Sequence, residues 1–333
     1  MLSIVLMNEL KSFKTRVQNL ANERFEQLAL EIFRFQAVHC GVYREYLESL
    51  NIKAESITSL NDIPFLPIEF FKNHRVSTLE WSENAVFRSS GTTSTVRSQH
   101  LVEDLNYYLQ LSLRNFQNFF GSIKECEIYA LLPSYREQGN SSLIAMVDHL
   151  ISHSSRGGYF LDNFEHLESE LRNRLNRNSK VILFGVGYAL LDFVDYVKNP
   201  LDGLVIVETG GMKGRRQELT KEDYYAILKK NLGEVGICSE YGMTELLSQA
   251  YSMDEIYYEP VPQLKVLVRD LNDPFLTLPH NKTGQINVID LANVHSCCFV
   301  ETQDIGRMAA NGTFEVLGRK DNSDIRGCNL LIG

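Results

Sequence analysis

No two cysteines stand in a CxxC spacing. The six, Cys40, Cys126, Cys238, Cys297, Cys298 and Cys328, are scattered through 333 residues. That excludes zinc-finger and thioredoxin-type sites and fits a reducing compartment. Long apolar runs are missing too. The longest, Val181 to Leu191, falls far short of the ~20 residues that span a bilayer. The N-terminus, MLSIVLMNELKSF, is broken by Asn8 and Glu9 and lacks both a basic n-region and a small-residue cleavage site, which argues against a signal peptide. Positive charge is scarce: 33 Lys and Arg against 42 Asp and Glu give a net −9. A general nucleic-acid surface is therefore excluded, although backbone amides and a few cations can still build a local anion site. The expectation is a cytoplasmic protein with no nucleic-acid partner and no integral membrane contact. Three catalytic signatures are also absent. There is no GxxxxGK[ST] loop, no GxSxG around Ser134, Ser141 or Ser142, and no third glycine after Gly185-Val186-Gly187.

What remains is ordinary globular composition, 44% hydrophobic and 23% charged. At roughly 150 residues per domain the length allows two domains, or one large α/β domain with an appendage. Residues 1–80 read as a helical N-terminal segment, with Phe25, Leu28, Ala29, Ile32 and Phe33 at helical spacing. Pro64 and Pro67 within it mark an extended stretch. Residues 81–254 alternate between strand and helix and predict an α/β core. Strands are expected at Ile128–Leu132, Val181–Phe184, Leu204–Glu208 and Val235–Ser239, and helices at 103–120, Asn140–Ser152 and Leu219–Asn231. Residues 255–317 read as a smaller β-rich subdomain, with strands at Leu264–Val268, Gln285–Asp290, Cys298–Val300 and Phe314–Leu317. Residues 318–333 form a tail.

Four segments carry chemistry. Ser89-Ser90-Gly91-Thr92-Thr93-Ser94 presents backbone N–H groups and hydroxyls together, which suits phosphate oxygens. The plain alternative is a surface turn. Tyr241-Gly242-Met243-Thr244-Glu245 follows an expected strand. Its tyrosine suits a purine face, its glycine a close ligand, and Glu245 a Mg²⁺ ion shared with phosphates. The alternative is a helix start capped by Thr244. In Glu301-Thr302-Gln303-Asp304-Ile305-Gly306, Asp304 can accept hydrogen bonds from ribose hydroxyls, or merely close an Asx-turn. In Gly318-Arg319-Lys320-Asp321, Arg319 can reach a ribose or phosphate, or lie in a solvated turn. His295 beside Cys297 and Cys298 offers a weak metal cluster, since strand alternation would point neighbours to opposite faces.

In their order these segments resemble the motifs of the acyl-adenylate-forming superfamily: SSGTT, ETGGMKG, YGMTE, TQDIG and GRKDNSDIRG run from residue 89 to 327 as that family's phosphate loop, adenine loop, Tyr-Gly-x-Thr-Glu motif, ribose motif and hinge do. The resemblance implies the adenylate-forming N-terminal-domain fold, with mixed sheets flanked by helices. It implies ATP and Mg²⁺ as cofactors. Ser89, Ser90, Gly91, Thr92, Thr93 and Arg97 would hold phosphates. Gly210, Gly211, Tyr241, Gly242, Met243 and Thr244 would hold the adenine side, Asp304 and Arg319 the ribose, and Thr92 and Glu245 the metal. Departures are visible. Ser94, Val96 and Arg97 replace the usual Gly, Pro and Lys of the phosphate loop, and Gln303 replaces a glycine. The superfamily's mobile C-terminal domain, with its lysine, is expected to be absent.

The segment IPFLPIEFFK and the near-terminal Arg-Gly-Cys are similar to the LuxE-type acyl-protein synthetase branch. That resemblance implies activation of a carboxylic acid, of the fatty-acid class, to an acyl-adenylate. It also implies transfer to Cys328, whose thiolate Arg326 would favour, and delivery to a partner such as an acyl reductase. Alternatives are an acyl- or aryl-CoA ligase using coenzyme A, and a non-catalytic nucleotide- or partner-binding protein of the same fold.

Overall fold

Apolar residues at helical spacing build three helices at the start of the chain: α1 (Leu2–Gln18), α2 (Phe25–His39) and α3 (Gly41–Ser49). The computed structural model describes residues 2–20, 24–89, 97–132, 140–161, 163–177, 179–210, 219–254 and 256–320. Helix α2 buries all five of the apolar residues read from its spacing. The same face carries a polar residue, Gln36, at 0% exposure. Its amide donates to the carbonyls of Asn293 (3.1 Å) and Val294 (3.2 Å) and accepts from the Cys298 N–H (2.9 Å). A fully satisfied buried amide of this kind pins α2 to a loop more than 250 residues away in sequence. Phe33 closes the contact edge-on against Tyr43 and Phe299, at 6.0 and 5.8 Å between centroids.

Two short elements follow, β1 (Leu66–Pro67) and α4 (Phe70–Asn73). Strands β2 (Ala85–Arg88) and β3 (Gln99–Val102) pair as a separate antiparallel hairpin around the small-hydroxyl loop. Helix α5 (Leu105–Phe120) is capped by Asp104, whose carboxylate accepts from the Tyr107 N–H at 3.0 Å. A short acidic side chain just before the first turn satisfies one of the helix's otherwise unpaired N–H groups. The chain then alternates: β4 (Cys126–Leu131), α6 (Ser142–His153), β5 (Arg156–Tyr159), α7 (Phe164–Leu175), β6 (Lys180–Gly185), α8 (Gly187–Tyr196), β7 (Val205–Thr209), α9 (Lys221–Leu232) and β8 (Gly236–Tyr241). Six strands complete it: β9 (Ala250–Ser252), β10 (Tyr258–Pro260), β11 (Leu264–Arg269), β12 (Gly284–Asp290), β13 (Phe299–Met308) and β14 (Phe314–Arg319).

One large mixed sheet results, in the order β11-β12-β13-β14-β10-β9-β8-β7-β6-β4-β5. From β5 to β8 the neighbours are parallel. From β8 through β11 they are antiparallel, and β1 joins β13 in parallel. Helices cover the parallel part and bury its continuous apolar strands, as a doubly covered sheet requires. The switch comes at β8, parallel to β7 on one side and antiparallel to β9 on the other, where Ser239 stands opposite Ser252.

The differences from the sequence reading have local causes. Strand β5 went unread because its centre is Gly157-Gly158. A Cβ at Gly157 would come 1.8 Å from the Ile128 carbonyl, so only glycine permits this approach to β4. Strand β13 runs on through Glu301 to Met308 instead of stopping at Val300, because β12 and β14 satisfy its polar stretch on both sides. Cys297 and Cys298 precede that strand and do not alternate: both are at 0% exposure, in the core beneath α2 and α3. Among the described residues, no helix is long and apolar enough to cross a membrane.

Candidate functional site

The parallel strands β4, β6, β7 and β8 all deliver their carboxyl ends to one edge, where open α/β sheets receive ligands. Gly210 follows β7 with φ +74°. A side chain would be strained there, so glycine lets the chain turn back at the edge. Its carbonyl accepts from the Gly187 N–H at 3.4 Å. One strand over, the Thr209 hydroxyl donates to Glu240 Oε2 at 2.8 Å. A Cβ on Gly242 would lie 2.2 Å from Glu240 Oε1, so this carboxylate sits against the motif's glycine.

Tyr241 ends β8. Its ring is 8% exposed and packs against Phe314 and Tyr258, at 5.3 and 5.7 Å between centroids. Its hydroxyl donates to Asp304 Oδ2 at 2.8 Å. Burial pushes the Tyr241 phenol well up, so it stays a neutral donor. Asp304 lies inside β13, not in an Asx-turn, and stands opposite Arg319 of β14. Arg319 is accordingly in a strand, with an exposed side chain, and not in a loose turn. Burial raises the Asp304 carboxyl, while the Tyr241 hydrogen bond and the Arg319 charge pull it back.

Thr244 caps no helix. Residues 242–249 belong to neither helix nor strand, and three side chains from two distant places take over their backbone groups. His100 Nδ1 bonds the Thr244 carbonyl at 2.9 Å, and Asn293 Nδ2 donates to the Glu245 carbonyl at 2.9 Å. Asp290 accepts from the Leu247 and Ser248 N–H groups, at 2.8 and 2.9 Å, and from the Ser248 hydroxyl at 2.7 Å. Burial lowers His100 to about 4. The ring is therefore neutral, and its Nδ1 must carry the proton to face a carbonyl.

Glu245 is 4% exposed. Burial raises its carboxyl, and a hydrogen bond from Ser98 with the charges of Arg319 and Lys72 opposes that rise. Ser98 also closes the neck of the hairpin loop, where the Ser89 N–H donates to its carbonyl at 3.1 Å and its own N–H donates to Ser89 Oγ at 3.1 Å. Arg97 precedes β3 and is exposed. The structure thus gathers Ser89, Glu245, Tyr241, Asp304 and Arg319 by direct contacts or shared charge, and it sets Gly210, Gly242, Met243 and Thr244 at the same sheet edge. Ser90, Gly91, Thr92, Thr93, Gly211 and Cys328 lie outside the described residues. Ser98, His100, Glu240, Asp290 and Asn293 were not singled out in the sequence. Their partners are mostly far away in the chain, so no local pattern marks them. His295 does not meet Cys297 or Cys298; its Nε2 lies 3.7 Å from Glu103 and its ring edges onto Trp81.

Residues 17–333 match the family described as Acyl-protein synthetase, LuxE. The chain belongs to the LuxE acyl-protein synthetase family. Among its relatives is a Vibrio harveyi protein named long-chain-fatty-acid–luciferin-component ligase, 26% identical over 313 residues, which cover 86% of this chain and 82% of that protein. A Photorhabdus luminescens protein of the same name is 32% identical over 74 residues, 22% of this chain and 63% of that one. Solved structures share the fold. A 2-hydroxyisobutyryl-CoA ligase with a bound acyl-adenylate aligns over 92% of this chain and 70% of its own, with TM-score 0.67 and 11% identity. ATP-bound MatB from Rhodopseudomonas palustris aligns over 73% of this chain, with TM-score 0.54 and 16% identity. This chain spans about half the length of that MatB chain, 50%.

Proposed function

We propose that this LuxE-family protein is an AMP-forming ligase that activates a long-chain fatty acid with ATP and passes the acyl group to a protein thiol. The observation that carries the reading is the convergence of Glu245 with Ser98, and of Tyr241 with Asp304 opposite Arg319, at one sheet edge. In the first step a carboxylate oxygen attacks the α-phosphorus of ATP. A new P–O bond forms, and the bond to pyrophosphate breaks. Such chemistry needs alignment and charge neutralisation more than covalent help. Asp304, held by Tyr241, accepts from the ribose hydroxyls, and Arg319 flanks them. The loop that begins at Ser89 and Ser90 and runs through Gly91, Thr92 and Thr93 to Arg97 wraps the phosphates.

The donor set fits Mg²⁺. Glu245 offers a hard carboxylate oxygen beside the phosphate loop, and Thr92 a hydroxyl; with phosphate oxygens these are the ligands the ion prefers. When bound, the ion neutralises phosphate charge. The clamp from His100, Asn293 and Asp290 keeps the Glu245 turn in place. In the second step a thiolate attacks the acyl carbon and AMP leaves. Cys328 is the proposed acceptor, and a partner of acyl-reductase type the proposed recipient.

The test is ATP–pyrophosphate exchange with the purified protein and a panel of carboxylic acids. Long-chain fatty acids should support exchange, and a radiolabelled one should stay on denatured protein. Cys328→Ser should remove that label and leave exchange intact. No exchange with any acid refutes the ligase reading. Label surviving in the variant refutes Cys328 as acceptor, and acyl-CoA formed on adding coenzyme A would assign the thiol to that cofactor.

A further inference from the structure

The segment IPFLPIEFFK enters the site from a direction the nucleotide motifs do not announce. Strand β1 pairs with β13 with Leu66 opposite Val300, and the Ile68 N–H donates to the Glu301 carbonyl at 3.0 Å. This registry carries α4 towards the ribose end of β13, where Glu69 takes a hydrogen bond from the Gln303 amide, one residue before Asp304. On its other side Phe71 packs edge-on against His100, 5.9 Å between centroids, and His100 holds the Thr244 carbonyl. The single turn of α4 therefore wedges between the strand that carries Asp304 and the turn that carries Glu245.

Lys72 sits on that wedge. It is half-buried, and its charge is felt at Glu245. Among the described residues its ammonium has no hydrogen bond and no ion pair. A lysine carries its charge on a flexible stem, so the ammonium can swing to meet an incoming anion. The surroundings supply two carboxylates, Glu245 and Asp304, and a nucleotide would add several more negative charges. Arg319 is exposed at the end of β14 and Arg97 is exposed before β3, whereas Lys72 lies between the two carboxylate-bearing elements. A lysine acts on phosphate as a compact point charge, so it needs proximity more than a fixed fork geometry.

We propose that Lys72 is a phosphate-binding residue of this site, its ammonium meeting the polyphosphate of ATP, or pyrophosphate in the reverse direction, beside Glu245. The inference rests on the adenylating role argued above and adds to it the source of the positive charge. Removing one charge-assisted contact of this kind weakens binding about 10- to 100-fold.

The experiment measures equilibrium binding of pyrophosphate and of ATP to the full chain by calorimetry, without acid, together with exchange kinetics. Lys72→Gln should raise both dissociation constants about 10- to 100-fold and leave the KM for the fatty acid unchanged. Lys72→Arg, which keeps the charge, should recover most of the binding. Lys72→Met, which keeps the aliphatic stem, should match Lys72→Gln and melt with wild type. Wild-type affinity for pyrophosphate in Lys72→Gln and Lys72→Met overturns the inference, as does a change confined to the acid's KM. Absence of exchange in the wild-type protein with every acid is a separate result, which overturns the adenylating role itself.

Discussion

Glu240 gives the sharpest physical test of this site. It ends β8 with one carboxylate oxygen bonded by the Thr209 hydroxyl and the other against Gly242. Burial pushes its carboxyl from 4.5 up to about 7, and the charge of Glu208, across the sheet, adds to the rise. The unfolded chain releases this proton near 4.5, while the folded protein keeps it until about 7. Over that interval the unfolded state binds fewer protons, so linkage makes stability fall as pH rises through it. The interval is about 2.5 pH units, and at ~1.4 kcal/mol per unit the upper limit is ~3.5 kcal/mol. Partial solvent access reduces it to about 1–3 kcal/mol. Glu240→Gln removes the ionisation, and its amide oxygen still accepts from Thr209. Urea unfolding at pH 5 and pH 8 reads the outcome. The variant should equal wild type near pH 5 and exceed it by about 1–3 kcal/mol at pH 8. A residual slope should remain, because burial also pushes Glu208 up to about 7. A pH profile that superimposes on the wild-type profile would falsify the assignment of a neutral, buried Glu240.

Gly242→Ala drives the Glu240 carboxylate off Thr209, because the new Cβ would sit 2.2 Å from Oε1. It should cost about 1–2 kcal/mol alone and markedly less in a Glu240→Ala background, a coupling that a double-mutant cycle in urea detects and that strictly additive costs would rule out. Asp290→Ala strands the buried N–H groups of Leu247, Ser248 and Ala292. It should destabilise by about 3 kcal/mol or more and lower exchange through the loosened Glu245 turn; unchanged melting would contradict the clamp.

Much of the architecture was written locally. The spacing of Phe25, Leu28, Ala29, Ile32 and Phe33 dictates a one-sided helix, and α2 buries that side. Asp104 is a helix cap by its own chemistry. The continuous apolar runs of β4 and β6 are strands because both faces are covered. The motif order likewise pointed to the acyl-protein synthetase family, and residues 17–333 match it. Short pieces were silent: three- and four-residue strands such as β9 and β5 show no period, and a glycine pair signals a bend as readily as a close approach.

What the sequence could not determine is which distant groups meet. Thr244 reads as a helix cap until His100, Asn293 and Asp290 claim the backbone groups around it. Tyr241 reads only as a ring suited to a purine face until β13 brings Asp304 to its hydroxyl. Nothing local marks Lys72; the pairing of β1 with β13 is what brings α4 beside the strand of Asp304. Local propensity fixes dihedral angles and faces over a few residues. Sheet registry and burial act between strands hundreds of residues apart, and they decide which charges and hydroxyls share a site.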